Sequence, residues 1–113
     1  MEINAGKVLV DLDNNPIVAD PQTKTPLTVG IGVGVIMQTY KGEGRGMVGP
    51  LKALELARSF YKKDGMVEID KADMKILEDA INSDKRFGPL VLGQLIEAFD
   101  EAKGKEEKLK PKK

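Results

Sequence analysis

The chain contains no cysteine, no histidine and no tryptophan. Each absence removes chemistry. Without cysteine there is no disulfide, no thiol nucleophile and no thiolate metal site. Without histidine the commonest general base, the commonest zinc ligand and the usual switch near neutral pH are gone. The three Phe and two Tyr leave little material for stacking nucleic-acid bases. Long apolar runs are missing too. The longest weakly polar stretch, Val29 to Met37, is far short of the ~20 residues that span a bilayer. The opening residues Met1 to Gly6 show neither the basic nor the apolar region of a signal peptide. A cytoplasmic protein without a membrane partner is therefore expected.

The 113 residues suit one small domain, and the 18 basic and 18 acidic residues cancel. The cancellation hides an asymmetry. Lys103 to Lys113 hold six Lys and two Glu, a net of +4, so residues 1–102 carry −4. With one large apolar residue, the segment 103–113 has little to bury against its ordering entropy. It is expected to be a disordered basic tail on a globular domain spanning 1–102. The neutral total makes no case for a nucleic-acid partner, and −4 over 102 residues is too sparse to imitate a phosphate backbone.

Along the chain, Lys7–Leu12 and Ile17–Asp20 flank Asp13-Asn14-Asn15-Pro16, which predicts a hairpin turn. Residues 20–26, with two prolines, read as a loop. Val29-Gly30-Ile31-Gly32-Val33-Gly34-Val35 alternates apolar residues with glycine. Period two favours a strand, and three glycines would cost a helix ~2–3 kcal/mol against alanine. A helix capped by Thr28, with the glycines admitting a close neighbour, is the alternative. After a glycine-rich loop, Pro50 opens a helix whose apolar stripe is Leu51, Leu54, Ala57 and Tyr61, widened by Leu56 and Phe60. Asp70 caps a further helix bearing Met74, Leu77 and Ile81, and Pro89 opens another bearing Leu92, Leu95, Ile96 and Phe99.

One motif stands out as a candidate site. Gly44-x-Gly46-x-x-Gly49 precedes a helix, as in loops that cradle phosphates with backbone N–H groups. Lys41, Gly42, Gly44, Arg45, Gly46 and Gly49 are the candidate ligand-binding residues, for a small anionic ligand such as a nucleotide signal. Only one βα unit is present, and Pro50 removes one donor, so a full dinucleotide fold is not expected. Asp11 to Pro16 faintly resembles a calcium loop, but Pro16 and Gln22 stand where Gly and Glu are needed. The carboxylates Glu68, Asp70, Asp73, Glu78 and Asp79 are explained by helix caps and wet faces. No serine or threonine stands beside an evident base. No catalytic residue, metal site or cofactor is expected, and the chain does not read as an enzyme.

The pattern as a whole resembles a family of small, uncharacterised proteins of tailed bacteriophages and prophages. The residues that carry it are Val10 to Ile17, Thr25-Pro26-Leu27-Thr28-Val29-Gly30, Leu54 to Tyr61, Val67 to Asp73, and Gly88-Pro89-Leu90-Val91-Leu92-Gly93-Gln94 through Phe99. The resemblance implies a viral origin and a helix over Thr28–Thr39, and it supplies no activity. Together these readings predict an α+β domain, an N-terminal β-hairpin packed on three or four short helices. The expected role is that of a non-enzymatic phage accessory protein that forms a homo-oligomer and binds a host or phage protein. The alternatives are a virion or head–tail assembly component and the binder of a small anionic nucleotide.

Overall fold

The computed structural model describes residues 1–40 and 49–109. In chain order they form β1 (Glu2–Asn4), β2 (Val18–Asp20), β3 (Thr25–Pro26), α1 (Val29–Thr39), α2 (Pro50–Phe60), β4 (Met66–Glu68), α3 (Lys71–Ser83) and α4 (Pro89–Leu109). Helices dominate, and the strands form two small antiparallel sheets, β1 with β4 and β2 with β3. The class is α+β, as the sequence predicts.

Helix α1 is the centre of the packing, and it resolves the strand-or-helix ambiguity of residues 29–35. On a helix, Gly30 and Gly34 share one face and Gly32 lies on the opposite side. A Cβ on Gly30 would sit 2.3 Å from the Phe60 carbonyl oxygen, and one on Gly34 would sit 2.7 Å from Tyr61 Cβ. The pair therefore admits the end of α2 against bare α1 backbone. Gly32 faces the Leu95 side chain of α4, whose nearest carbon would lie 3.3 Å from a Cβ placed there. The glycines cost α1 ~2–3 kcal/mol of propensity. Val29, Ile31, Val33, Ile36 and Met37 are all buried, and each full burial is worth about 1.5–3 kcal/mol. Burial outweighs propensity, which is why the period-two pattern folds as a helix.

The start of α1 is closed by the N-terminal segment. The first amides of a helix lack intrahelical partners. Here Val29 N–H donates to Lys7 O, Gly30 N–H to Ala5 O, and Ile31 N–H to the Thr28 hydroxyl that caps the helix. The same segment continues into β1, where Ile3 lies opposite Val67 of β4. Ala5 N–H donates to Gly65 O, and Ile69 N–H to Met1 O. Residues 1–9 are thus stitched to both the front of α1 and the strand preceding α3.

The predicted N-terminal hairpin is corrected. Its turn forms: the Asp11 carboxylate accepts from the amides of Asp13 and Asn15, and Asn14 adopts φ +64°. Its arms do not pair as one ladder. β1 pairs with β4 and β2 pairs with β3, while the arms meet only briefly: Val10 bridges Pro16 and Ile17 N–H donates to Leu9 O, but Val8 bridges Thr28 and Leu9 N–H donates to Leu27 O. Two causes are visible. Pro16 has no N–H to give, and both backbone polar groups of Val10 are taken by a side chain. Gln94 Oε1 accepts from Val10 N–H at 2.9 Å, and Gln94 Nε2 donates to Val10 O at 2.7 Å. The amide acts as a one-residue strand projecting from α4.

The remaining helices follow local rules. Asp70 caps α3 by accepting from Asp73 N–H at 2.7 Å. Lys52 on α2 pairs with Asp73 at 2.8 Å, and the hydrogen bond to that carboxylate raises the lysine pKa further above its ordinary value. Phe60 and Phe99, both fully buried, meet with ring centroids 6.5 Å apart. Among the described residues no polar or charged residue is buried as a whole, although the Asp84 side chain is 5 % exposed beside Arg86. The expected domain boundary at 102 falls inside α4, which runs on to Leu109, and Lys103 pairs with Glu78 of α3 at 2.6 Å. Residues 110–113 lie outside the described residues.

Three substitutions test this account. Gly30→Ala drives a methyl into backbone rather than into a flexible side chain, and is expected to destabilise by about 3 kcal/mol. Gly93 lies exposed in α4 with nothing within 4 Å of a Cβ, so Gly93→Ala is expected to stabilise by about 1 kcal/mol. Gln94→Ala, which leaves the half-buried Val10 groups unpaired, is expected to cost about 1–2 kcal/mol. Denaturant unfolding of the three variants reads all of these changes.

Candidate functional site

Lys41, Gly42, Gly44, Arg45 and Gly46 lie outside the described residues. Gly49 is described, as the residue before α2. Its φ is −62°, it makes no side-chain cap, and a Cβ there would meet nothing within 4 Å. Neither backbone conformation nor space requires glycine at this position.

The described residues contain a cleft of about 720 Å³ that the sequence reading missed. It lies in the size range of small-molecule sites. Its walls come from segments far apart in the chain: Ile17 to Pro21, then Thr23, Thr25 and Leu27, Ile31 and Val35 of α1, Tyr61 and Lys62 after α2, and Arg86, Phe87 and Val91 around the α3–α4 turn. The lining is largely aliphatic and aromatic, with Lys62, Arg86 and Asp20 as its charged members.

These three charges differ in how far they are committed. Arg86 Nη1 donates to Val35 O at 3.0 Å, its Nη2 donates to the Thr39 hydroxyl, and its Nε lies 3.8 Å from Asp84 Oδ1. The guanidinium thereby adds a bond to a carbonyl near the end of α1 and ties the α3–α4 turn to that helix. Asp84 in turn accepts from the amides of Arg86 and Phe87. Asp20 accepts from Gln22 N–H at 3.0 Å within its own turn. Lys62 makes no ion pair among the described residues, and its ammonium lies 5.5 Å from the centre of the Tyr61 ring. Its backbone is left-handed, φ +56°, a conformation that glycine or asparagine adopts more cheaply.

A second surface belongs to α2. The predicted stripe is divided between inside and outside. Ala53, Leu56, Ala57 and Phe60 are buried, whereas Leu51 is 69 % exposed and Leu54 43 % exposed. Glu55 and Arg58 share this outward side. Tyr61, expected in the core, is exposed at the end of the helix. A stripe wider than one packing face explains the outcome: α1 covers one edge of it, and nothing among the described residues covers the other.

Among the described residues no group of acidic side chains is placed to hold a metal ion, and no helix is long and apolar enough to cross a membrane. Comparison of the chain with known protein families, characterised proteins and solved structures finds no match.

The role assigned to Arg86 is testable. Arg86→Gln removes the ties to Val35 and Thr39 and is expected to cost about 1–2 kcal/mol. Hydrogen exchange is expected to accelerate at Asp84–Phe87 and in the last turn of α1, while β1 and β4 stay protected.

Proposed function

We propose that the protein is a non-enzymatic accessory protein of a bacteriophage or prophage that acts as a homodimer and binds another protein. The observation that carries this reading is the outward side of α2. Leu51 and Leu54 are exposed on a helix whose other side is already packed. Exposed apolar groups collected on one surface mark an interaction site.

Self-pairing suits this side better than an arbitrary partner because its charges are self-complementary. Glu55 and Arg58 stand one turn apart with opposite sign. Two copies of α2 packed antiparallel about a two-fold axis set each Glu55 beside the other copy's Arg58, and set the leucines between them. A two-fold interface requires such self-complementarity. The acidic balance of residues 1–102 then gives the dimer a surface suited to a basic protein partner, since opposite potentials speed encounter and reject wrong partners. The viral assignment rests on the resemblance carried by Thr25–Gly30 and Gly88–Phe99.

Light scattering after size exclusion is the test. The protein is expected at twice its 12.3 kDa monomer mass, and Leu51→Glu with Leu54→Glu is expected at monomer mass with an unchanged helical spectrum. Glu55→Arg and Arg58→Glu are each expected to weaken the dimer, and the double exchange to restore it. A monomeric parent protein, or a dimer indifferent to all these changes, overturns the reading.

A further inference from the structure

We propose that the cleft between the β2–β3 ribbon, α1 and the α3–α4 turn binds a small amphiphilic anion, an apolar body carrying a carboxylate or similar head, with Lys62 as the counter-charge. This goes beyond self-association: the cleft uses neither Leu51 nor Leu54.

The argument begins with the lining. Leu27, Ile31, Val35, Phe87 and Val91 give the cleft an apolar floor inside a volume of about 720 Å³. A concave apolar floor with a few polar groups at its rim is the usual form of a small-molecule site: burial supplies affinity and the polar groups set orientation. The rim charges then select the sign of the head group. Arg86 is held by Val35, Thr39 and Asp84. Asp20 accepts one bond, from the amide of Gln22, and stands on the exposed β2 side of the rim, in a different segment from Lys62. Among the described residues Lys62 makes no ion pair, and its cationic head lies 5.5 Å from the centre of the Tyr61 ring. That contact leaves its three N–H donors available to an incoming acceptor.

The backbone at Lys62 adds a separate observation. Tyr61 N–H donates to Ala57 O and Lys63 N–H to Phe60 O, closing the end of α2 and holding Lys62 at φ +56°. A left-handed lysine costs about 1 kcal/mol where glycine would cost nothing. The strain sets a long cationic side chain beside an apolar cleft. A ligand head bound there meets an ammonium, and its apolar part meets the floor. A cationic amphiphile of the same length meets the same floor and the same ammonium, and is rejected.

Titration calorimetry with dodecanoate, beside dodecylamine and dodecanol as probes of equal chain length, tests this directly. Dodecanoate is expected to bind saturably, one per chain, and more tightly than either of the others. Lys62→Gln is expected to weaken it about tenfold, the loss of one charge-assisted hydrogen bond. Val35→Trp, which fills the floor while keeping every rim charge, is expected to abolish binding with the fold intact by circular dichroism. The Leu51→Glu, Leu54→Glu protein is expected to bind dodecanoate as the parent does, so this result and the dimer result are read independently. Absence of saturable binding, equal affinity for dodecylamine, or affinity unchanged by both cleft variants overturns the proposal.

Discussion

The structure depends on one close approach, that of α2's last turn to the bare backbone of α1 at Gly30 and Gly34. A side chain at Gly30 would reach within 2.3 Å of a carbonyl oxygen, a distance that backbone cannot yield without moving the whole helix. Much else follows from that contact. It brings Phe60 inward to meet Phe99 of α4. It places Tyr61 and Lys62 at the edge of the cleft. Among the described residues it also leaves one edge of α2's wide apolar stripe uncovered. The glycines that look like weakness by helix propensity are the condition for the tertiary contact, a case of packing overriding local preference.

The sequence made the local elements legible. Asp70 caps α3, Pro50 and Pro89 open their helices, and the turn after Asp11 forms with Asn14 left-handed. Each of these is decided by a few neighbouring residues. Strand pairing was not legible. β1 finds its partner in β4, more than sixty residues away, and Val10 finds its partner in a glutamine side chain on α4. No local signal distinguishes a strand that pairs with its neighbour from one that pairs across the chain. Gln94 lies in the first turns of α4, and its two bonds to Val10 tie that helix to the N-terminal segment.

The candidate site divides in the same way. The glycine-rich segment was conspicuous because its spacing matches a motif, yet of its six named residues only Gly49 lies among those described. The cleft was invisible because its lining is ordinary aliphatic residues from five segments, each unremarkable alone. One signal lies nearby: Asp64-Gly65 marks the close of a helix, but in the fold Lys62, three residues before that glycine, takes the first left-handed position. The outward side of α2 was half legible. The periodicity shows Leu51 and Leu54 as part of a stripe, and does not show how many helices are available to cover it.

The way residues 1–9 are held sets the order in which the molecule can assemble. Ile3 is paired with Val67, Met1 is bonded to Ile69, and Ala5 is bonded to both Gly65 and Gly30. These residues leave the ribosome well before β4. Until Ile69 has emerged, the front amides of α1 can be closed but the strand beside them has no companion. Contacts of such sequence separation are formed late because the intervening loop must be closed first. The helices α1 and α2 can meet early through their glycines, whereas the N-terminal strand joins only after the second half of the domain exists. Its edge stays open during synthesis, and the growing chain is most exposed to mispairing with a neighbouring nascent copy in that interval.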